Sequence, residues 1–193
     1  YDAKSINTTG SPIGISDYNG DGVADTVSGS DGSGSVILDQ NGMAHVFFGN
    51  MRYLDDVAGD DQWSFFPATS GLMYWNESFC AGPVMIADVL DLNGDGQIGI
   101  FGNDANILAK YYVSLTGFPS AGIDANGKLF VSYSMHMENM DNGAQNYRHV
   151  YMVSSADGGK SWTFPYHITW FDNFSEYVFA SMGKKVDDKV RIV

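Results

Sequence analysis

The amino-acid sequence predicts an all-β fold, and its composition and repeated local pattern carry this prediction. Glycine supplies 23 of the 193 residues and aromatic residues 14%, which favours short strands joined by tight turns. The acidic residues are 20 aspartates against 3 glutamates, and aspartate favours turns whereas glutamate favours helices. A strand, a turn rich in Asp, Asn or Gly, and a second strand recur three times, which is typical of antiparallel hairpins.

These recurring patterns define three units along the chain. The strands of the first two units are 35–38, 43–48, 71–75 and 84–87, then 121–123, 129–133, 149–153 and 163–169. A third unit begins with strand 177–186, turns at Asp187 and Asp188, and continues as strand 190–193. Repeated four-stranded antiparallel units are typical of β-propellers, which close with roughly four to eight blades. We therefore expect a partial β-propeller of about two and a half blades, completed by blades of the same longer protein or of another chain.

Two segments interrupt this strand pattern. Residues 1–33 are predicted as an N-terminal segment with a calcium-type loop, ahead of the blades in 34–193. An insertion at 88–119 is predicted to hold a second such loop and one short helix, because apolar residues recur at helical spacing between residues 103 and 115. These apolar residues are Ile107, Leu108, Tyr111, Tyr112 and Leu115.

The charge balance restricts the classes of partner. The chain carries 10 Lys and Arg and a formal net charge of −13, which argues against nucleic acid and anionic membrane surfaces and favours cations. No apolar run approaches the ~20 residues of a membrane-spanning helix. Cys80 is the single cysteine, so an intrachain disulfide is excluded.

Two loops, 17–25 and 91–99, follow the pattern D-x-N-x-D-G and resemble the loops of dockerins and other extracellular calcium repeats. Side-chain oxygens at positions one, three and five and the carbonyl at position seven can converge on a hard cation. Ser28 and Gly102 stand where an EF-hand has a bidentate glutamate, so Asp25 and Asp104 are the expected substitutes. The predicted ligands are Asp17, Asn19, Asp21, Val23, Asp25, Asp91, Asn93, Asp95, Gln97 and Asp104. The alternative is that both loops are turns that bind no cation.

Residues 155–162 match the pattern S-x-D-x-G-x-x-W at Ser155, Asp157, Gly159 and Trp162. Ser155 and Asp157 can accept hydrogen bonds from their own turn, glycine permits positive φ, and Trp162 can pack back onto the sheet. This stretch resembles the Asp-box of sialidase-like BNR-repeat β-propellers. An ordinary glycine-rich hairpin is the alternative interpretation.

The sequences of the predicted blades and the Asp-box pattern together resemble those of large exported BNR-repeat proteins of Bacteroidota, which carry a sorting domain for type IX secretion. This resemblance implies a secreted or cell-surface location and does not imply one activity. Calcium loops with a weak ligand set suit extracellular calcium concentrations, so their role is expected to be structural.

Two long joints, 50–70 and 135–148, are predicted to connect the second and third strands of their units on the same face of the propeller. Loops that are longer than a turn requires are where ligands are commonly bound. The ligand-binding candidates in these joints are Arg52, Trp63, Phe65, Phe66, His136, Glu138 and Arg148. The alternative is that the joints are insertions without a binding role.

The resemblance to sialidases also raises the question of catalysis. A sialidase clamps its substrate carboxylate with three arginines and uses a tyrosine activated by a glutamate. The chain has three arginines, Arg52, Arg148 and Arg191, no Arg-Ile-Pro motif and no Tyr-Glu pair that the sequence identifies. The first interpretation is a calcium-stabilised propeller segment for binding or extracellular assembly. The alternatives are a glycan-processing hydrolase whose other active-site residues lie outside this chain, and a purely structural subunit.

Overall fold

The computed structural model of the protein describes residues 21–57, 60–103 and 108–193, which form two mostly antiparallel sheets. The strands of the first sheet are β1 (Val27–Leu38), β2 (Ala44–Leu54), β3 (Ser64–Phe66), β4 (Leu72–Asn76) and β5 (Val84–Ala87). Those of the second are β6 (Thr116–Asp124), β7 (Leu129–Asp141), β8 (Asn146–Ser155), β9 (Tyr166–His167) and β10 (Lys185–Val186). The expected all-β class is confirmed.

Each sheet contains a run of four antiparallel strands, in the orders β1-β2-β4-β5 and β6-β7-β8-β9. The first hairpin of each run is closed by an aspartate. Asp39 Oδ1 accepts hydrogen bonds from the backbone N–H groups of residues 41 and 43, and Asp124 Oδ1 accepts them from residues 126 and 128, all at 2.8 Å. Gly42 and Gly127 take positive φ in these turns, which a residue with a side chain would strain.

A single apolar cluster draws residues from both sheets. Phe47, Leu72 and Tyr74 come from the first sheet, and the alternate residues Val131 and Tyr133 of β7 come from the second; all five have no exposed surface. Polar contacts add to this junction, since the hydroxyl of Ser35 on β1 accepts a hydrogen bond from the N–H of Ala121 on β6 at 3.1 Å. The two units therefore share one core.

The third unit is shorter than the sequence predicts. Instead of a strand over 177–186, the structure has β10, two residues that pair in parallel with the end of β6. Met182 and Ile192 form one antiparallel bridge, flanked by reciprocal backbone hydrogen bonds of 2.8 and 3.0 Å between Ser181 and Val193. A hairpin begins at the predicted place, but only short pieces of it have a strand to pair with.

The predicted helix and the predicted long joint differ from the structure in their extent. Of the helix predicted between residues 103 and 115, the described part contains Leu108, which is α-helical, and a 3-10 turn at Ala109–Tyr111, after which Tyr112 takes a φ of 55° and ends the helical path. A separate 3-10 turn lies at Phe101–Asn103. Residues 104–107 lie outside the described part. The expected long joint at 135–148 is mostly strand, since β7 continues to Asp141 and β8 begins at Asn146.

Among the described residues, no helix is long and apolar enough to cross a membrane.

Candidate functional site

The loop 91–99 has the conformation that its sequence pattern favours. Asp91 receives backbone hydrogen bonds from Gly94 at 2.6 Å and Gly96 at 2.7 Å, and both glycines have positive φ. Asp95 Oδ1 receives the N–H of Gln97 at 2.8 Å. These hydrogen bonds, with that from Gly96 foremost, lower the pKa of Asp91. The Asp91 carboxylate is therefore held by the backbone of its own loop.

Glu138 on β7 faces this loop from a distant part of the sequence. Its side chain is 1% exposed, and its two carboxylate oxygens accept hydrogen bonds from the N–H groups of Leu92 at 2.9 Å and Gly99 at 2.8 Å. One oxygen each of Glu138, Asp91 and Asp95 lie within 4.8 Å of one another. Three carboxylates at this spacing can bind a divalent cation such as calcium.

The sequence placed Glu138 among ligand-contact residues rather than among metal ligands. Only the packing of the loop against β7 brings the glutamate to the place where an EF-hand would supply one from its own loop. Asp104, the substitute expected from the sequence, lies outside the described residues. Asp17 and Asn19 of the first predicted loop also lie outside the described residues. In the described part of that loop, Asp21 accepts the N–H of Val23 at 2.9 Å and Asp25 is partly buried.

The turn at 155–162 forms the hydrogen bonds expected of its pattern. Asp157 Oδ1 receives the backbone N–H groups of Lys160 at 3.1 Å and Ser161 at 3.0 Å, and Ser155 Oγ receives that of Gly159 at 2.8 Å. A hydrogen bond from the Ser161 hydroxyl is the largest of the contacts that lower the pKa of Asp157. The ionised aspartate thus organises the turn.

Tyr74 connects this turn to the first sheet. Its ring packs edge-on against Trp162 at a centroid distance of 5.2 Å, and a Cβ atom at Gly159 would collide with its hydroxyl. The same hydroxyl receives a hydrogen bond from Asn76 Nδ2 at 2.7 Å and lies 2.7 Å from His45 Nδ1. The turn is therefore part of the junction between the two sheets, and Trp162 packs back onto the core as expected.

The candidate residues in 135–148 are buried and bonded within the chain. Arg148 is 3% exposed, and its guanidinium donates to the carbonyl oxygen of Ser114 at 2.7 Å. Burial lowers the pKa of Arg148 to about 10, although the charges of Glu176 and Asp31 oppose this shift. His136 Nε2 lies 2.9 Å from the carbonyl oxygen of Gly99, and burial lowers the pKa of this imidazole as well. These side chains therefore lie buried in a hairpin and not exposed on a loop, and their contact with a ligand remains a prediction.

The candidates in 50–70 are at the surface. Arg52 on β2 is exposed, as are Trp63 (60%) and Phe66 (38%). The ring of Phe65 lies 6.1 Å from that of Trp63 and 6.3 Å from that of Tyr112. The structure therefore brings the predicted aromatic residues into contact with a tyrosine that the sequence assigned to a helix.

Tyr111 and Glu176, which the sequence does not pair, both lie beside Arg148, whose backbone N–H donates to Glu176 Oε2 at 2.7 Å. The charge of Glu176 adds to burial in raising the pKa of Tyr111, and the ring of Tyr111 lies 6.0 Å from the Arg148 guanidinium. Within the described part of the chain, the buried Oε1 atom of Glu176 has no hydrogen-bond partner. A cavity of about 10 Å³ lined by Tyr111, His136 and Arg148 has room for roughly one water molecule. The pairing is of the kind that could serve acid–base chemistry, but the cavity is too small for a sugar.

Comparison with solved structures adds a distant likeness in fold. No protein-family model and no curated protein matches the chain. A crystal structure of a protein of unknown function from Dyadobacter fermentans DSM 18053 aligns over 78% of this chain with 16% sequence identity and a TM-score of 0.42. The chain spans 42% of the length of that protein's chain. A TM-score of this size supports no argument about the function of either protein.

Proposed function

We propose that this chain is a calcium-stabilised segment of a secreted or cell-surface β-propeller of the sialidase-like BNR-repeat type, and that it acts in binding or extracellular assembly. The run of four antiparallel strands in each sheet supports this architecture. The short hairpin at 181–193 adds β10 to the second sheet beside β6 and forms no sheet of its own among the described residues. The proposed relatives are the exported BNR-repeat proteins of Bacteroidota.

The observation that carries the assembly role is an uncovered aromatic surface after β8. We call it the C-terminal aromatic surface; its exposed members are Phe164 (77%), Tyr166 (61%), Trp170 (64%), Phe171 (66%) and Phe174 (80%). Trp170 and Phe171 are ring neighbours at a centroid distance of 6.5 Å. Exposed apolar area marks interaction sites where it is extensive. The members of the C-terminal aromatic surface lie in and around β9, the edge strand of the second four-stranded run, so a further blade of the same protein, or another chain, would cover it.

Calcium supplies the second part of the proposal. Asp91, Asp95 and Glu138 offer three carboxylates, and the pattern of the loop adds the Asn93 side chain and the Gln97 carbonyl as further oxygen donors. An ion there would neutralise charge in a chain with a formal net charge of −13 and would bind the 91–99 loop to β7. Its role in this proposal is structural.

The assembly role is tested by light scattering as a function of protein concentration. We expect the wild-type chain to self-associate through the C-terminal aromatic surface, and the Phe171→Ser, Phe174→Ser double variant to remain monomeric. The Trp63→Ser, Phe66→Ser double variant is the matched control, since it removes exposed aromatic rings elsewhere. A wild-type chain that stays monomeric at every concentration, or a control that loses association equally, would contradict the role.

A glycan-processing hydrolase is the second candidate, and the Tyr111–Glu176 pairing is the observation that favours it. Two observations oppose it. The pKa of Tyr111 is raised by burial, whereas a nucleophile needs a lowered one. Arg148 donates to main-chain carbonyls and Arg191 pairs with Asp187 at 2.7 Å, so neither is available as a carboxylate clamp. We expect no hydrolysis of a fluorogenic sialoside by this chain; turnover that disappears in Tyr111→Phe would promote the enzyme instead.

A further inference from the structure

An open cleft lies where the first strands of the two sheets meet. Its volume is about 520 Å³, and it is lined by residues 31–34 of β1, 111–113, 118–120 of β6 and 179–180. Small-molecule sites commonly have volumes of roughly 300–1,000 Å³. Neither the Asp-box pattern nor the calcium-type loops contribute to this lining, and Tyr111 is the one lining residue that the cleft shares with the small cavity beside Arg148.

Strand bulges on both sides shape the cleft. The pairing of β1 with β2 shifts register between Ser30 and Gly34, and that of β6 with β7 shifts between Gly117 and Ser120. Phe118, inside the second bulge, has a φ of 52°. Bulges and left-handed residues other than glycine are enriched next to functional sites. The two strands thus depart from regular structure at the same place.

Asp31 holds the floor of the cleft in position. Its side chain is 6% exposed, and its carboxylate receives hydrogen bonds from the hydroxyl of Ser33 at 2.6 Å and the N–H of Ser114 at 3.2 Å. A Cβ atom at Gly49 or Gly117 would collide with this carboxylate. The aspartate therefore fits a space that two glycines leave for it, and the floor is preorganised.

Aromatic rings form the walls. Phe118 and Phe179 meet edge to face at a centroid distance of 4.9 Å, and Tyr111 lies 5.8 Å from Phe179. Tyr112, with its φ of 55°, turns to the other side and meets Phe65. Two rings remain available to a ligand, because Tyr112 is 72% and Phe179 70% exposed. Because Tyr112 has a positive φ, the two consecutive tyrosines contact different aromatic residues: Tyr111 lies beside Phe179, and Tyr112 lies beside Phe65.

The lining restricts the chemistry of the ligand. It contains the Asp31 carboxylate and no described Lys or Arg, so it offers no clamp for a carboxylate, phosphate or sulfate. A peptide that adds as a strand needs a regular sheet edge, and both lining strands are bulged here. A neutral sugar ring has C–H faces that stack on aromatic rings and hydroxyls that can pair with a polar group such as the Ser120 hydroxyl, which accepts the N–H of Met182 and keeps its own O–H to donate.

We propose that this cleft binds one or two units of a neutral glycan, with Tyr112 and Phe179 stacking on the sugar rings. The assignment gives a ligand class to the binding role proposed above, on which it rests. It does not depend on calcium, because no predicted or observed calcium-loop residue lines the cleft.

The test is isothermal titration of the full chain with neutral hexasaccharides, namely cellohexaose, mannohexaose and xylohexaose, with hexagalacturonate as the anionic probe. We expect millimolar or tighter binding of at least one neutral probe and none of hexagalacturonate. Phe179→Ala and Tyr112→Gly should each weaken that binding by roughly tenfold or more. Glycine at position 112 keeps the left-handed backbone accessible.

Leu38→Ala is the control, since Leu38 is a 62% exposed apolar residue of β1 that does not line the cleft. It should bind the neutral probe as the wild type does. The proposal is overturned if no neutral probe binds, if only hexagalacturonate binds, or if both cleft variants bind like wild type. Failure of the cleft alone leaves self-association through the C-terminal aromatic surface intact, so the two proposals are separable. If Tyr112→Gly does not fold, the binding measured for Phe179→Ala tests the proposal, because Phe179 is highly exposed.

Discussion

The 50–70 segment and the 135–148 hairpin occupy equivalent joints in the two four-stranded units, yet their side chains lie in opposite environments. In the 50–70 segment, Arg52 and Trp63 are exposed. In the 135–148 hairpin, His136 and Glu138 are each 1% exposed and Arg148 is 3% exposed. Residues predicted to share one role at one face are divided between the surface and the interior.

The difference arises from what covers each joint. Gly99 of the 91–99 loop bonds with both His136 and Glu138, and Arg148 donates to the carbonyl of Ser114. The 50–70 segment instead pairs back onto its own strand, through the three-residue strand β3. The position of a joint in a repeat therefore does not determine its burial; the segments that fold over it do.

The largest effect is expected from a matched pair of arginine substitutions. Arg148→Met should reduce the free energy of unfolding by roughly 3–5 kcal/mol, because it leaves buried carbonyls unpaired and removes the charge opposite Asp31 and Glu176. Arg52→Met should change it by about 0.5 kcal/mol or less, as is usual at an exposed site. Urea unfolding measures both, and similar losses would show that the two joints are energetically alike.

Calcium binding should also distinguish the 135–148 hairpin from the 50–70 segment. Calcium at about 100 times its Kd should stabilise the wild type by about 2.7 kcal/mol, and Glu138→Gln and Asp95→Asn should lose most of this gain. Asp56→Ala, an exposed aspartate of the 50–70 segment, is the control and should keep the gain. Thermal unfolding with calcium and with EDTA gives the measurement. Equal stability of the wild type in both would contradict a calcium site.

A smaller, pH-dependent effect is expected at the histidine pair that follows the hairpin. Fully buried His149 lies with Nδ1 2.8 Å from Nε2 of His167, and burial, with His167, lowers its pKa from 6.5 to about 4. The unfolded state binds this proton first, so stability is complete above about pH 6.5 and declines towards pH 4. The 50–70 segment contains no histidine.

His149→Gln should flatten this decline. Unfolding measured between pH 7 and pH 4 tests the expectation, and hydrogen exchange locates the change. Protection factors, which correct for the slower intrinsic exchange at low pH, should fall in β8 on acidification more than at Arg52 and Tyr53 of β2, which precede the exposed part of the 50–70 segment. An equal pH slope in wild type and variant would remove His149 as the cause.

The sequence alone predicted what short-range chemistry decides. The all-β class, the Asp39 and Asp124 hairpin turns and the hydrogen bonds of the 155–162 turn follow from residues within a few positions of one another. Glycine at positive φ and an aspartate that accepts its own turn's N–H groups require no distant partner. For the same reason the 91–99 loop has the conformation that its pattern predicts.

Tertiary structure decided everything that needed a partner from elsewhere in the chain. Glu138 meets Asp91 and Asp95, and Arg148 becomes a buried donor, because distant segments pack onto β7 and β8. Tyr112 leaves the helical pattern that its neighbours suggest, and the cleft between β1 and β6 appears only when the two sheets meet. The hydrophobic periodicity of a sequence shows which face of a strand or helix is apolar. Long-range packing determines which other segment of the chain covers the remaining face.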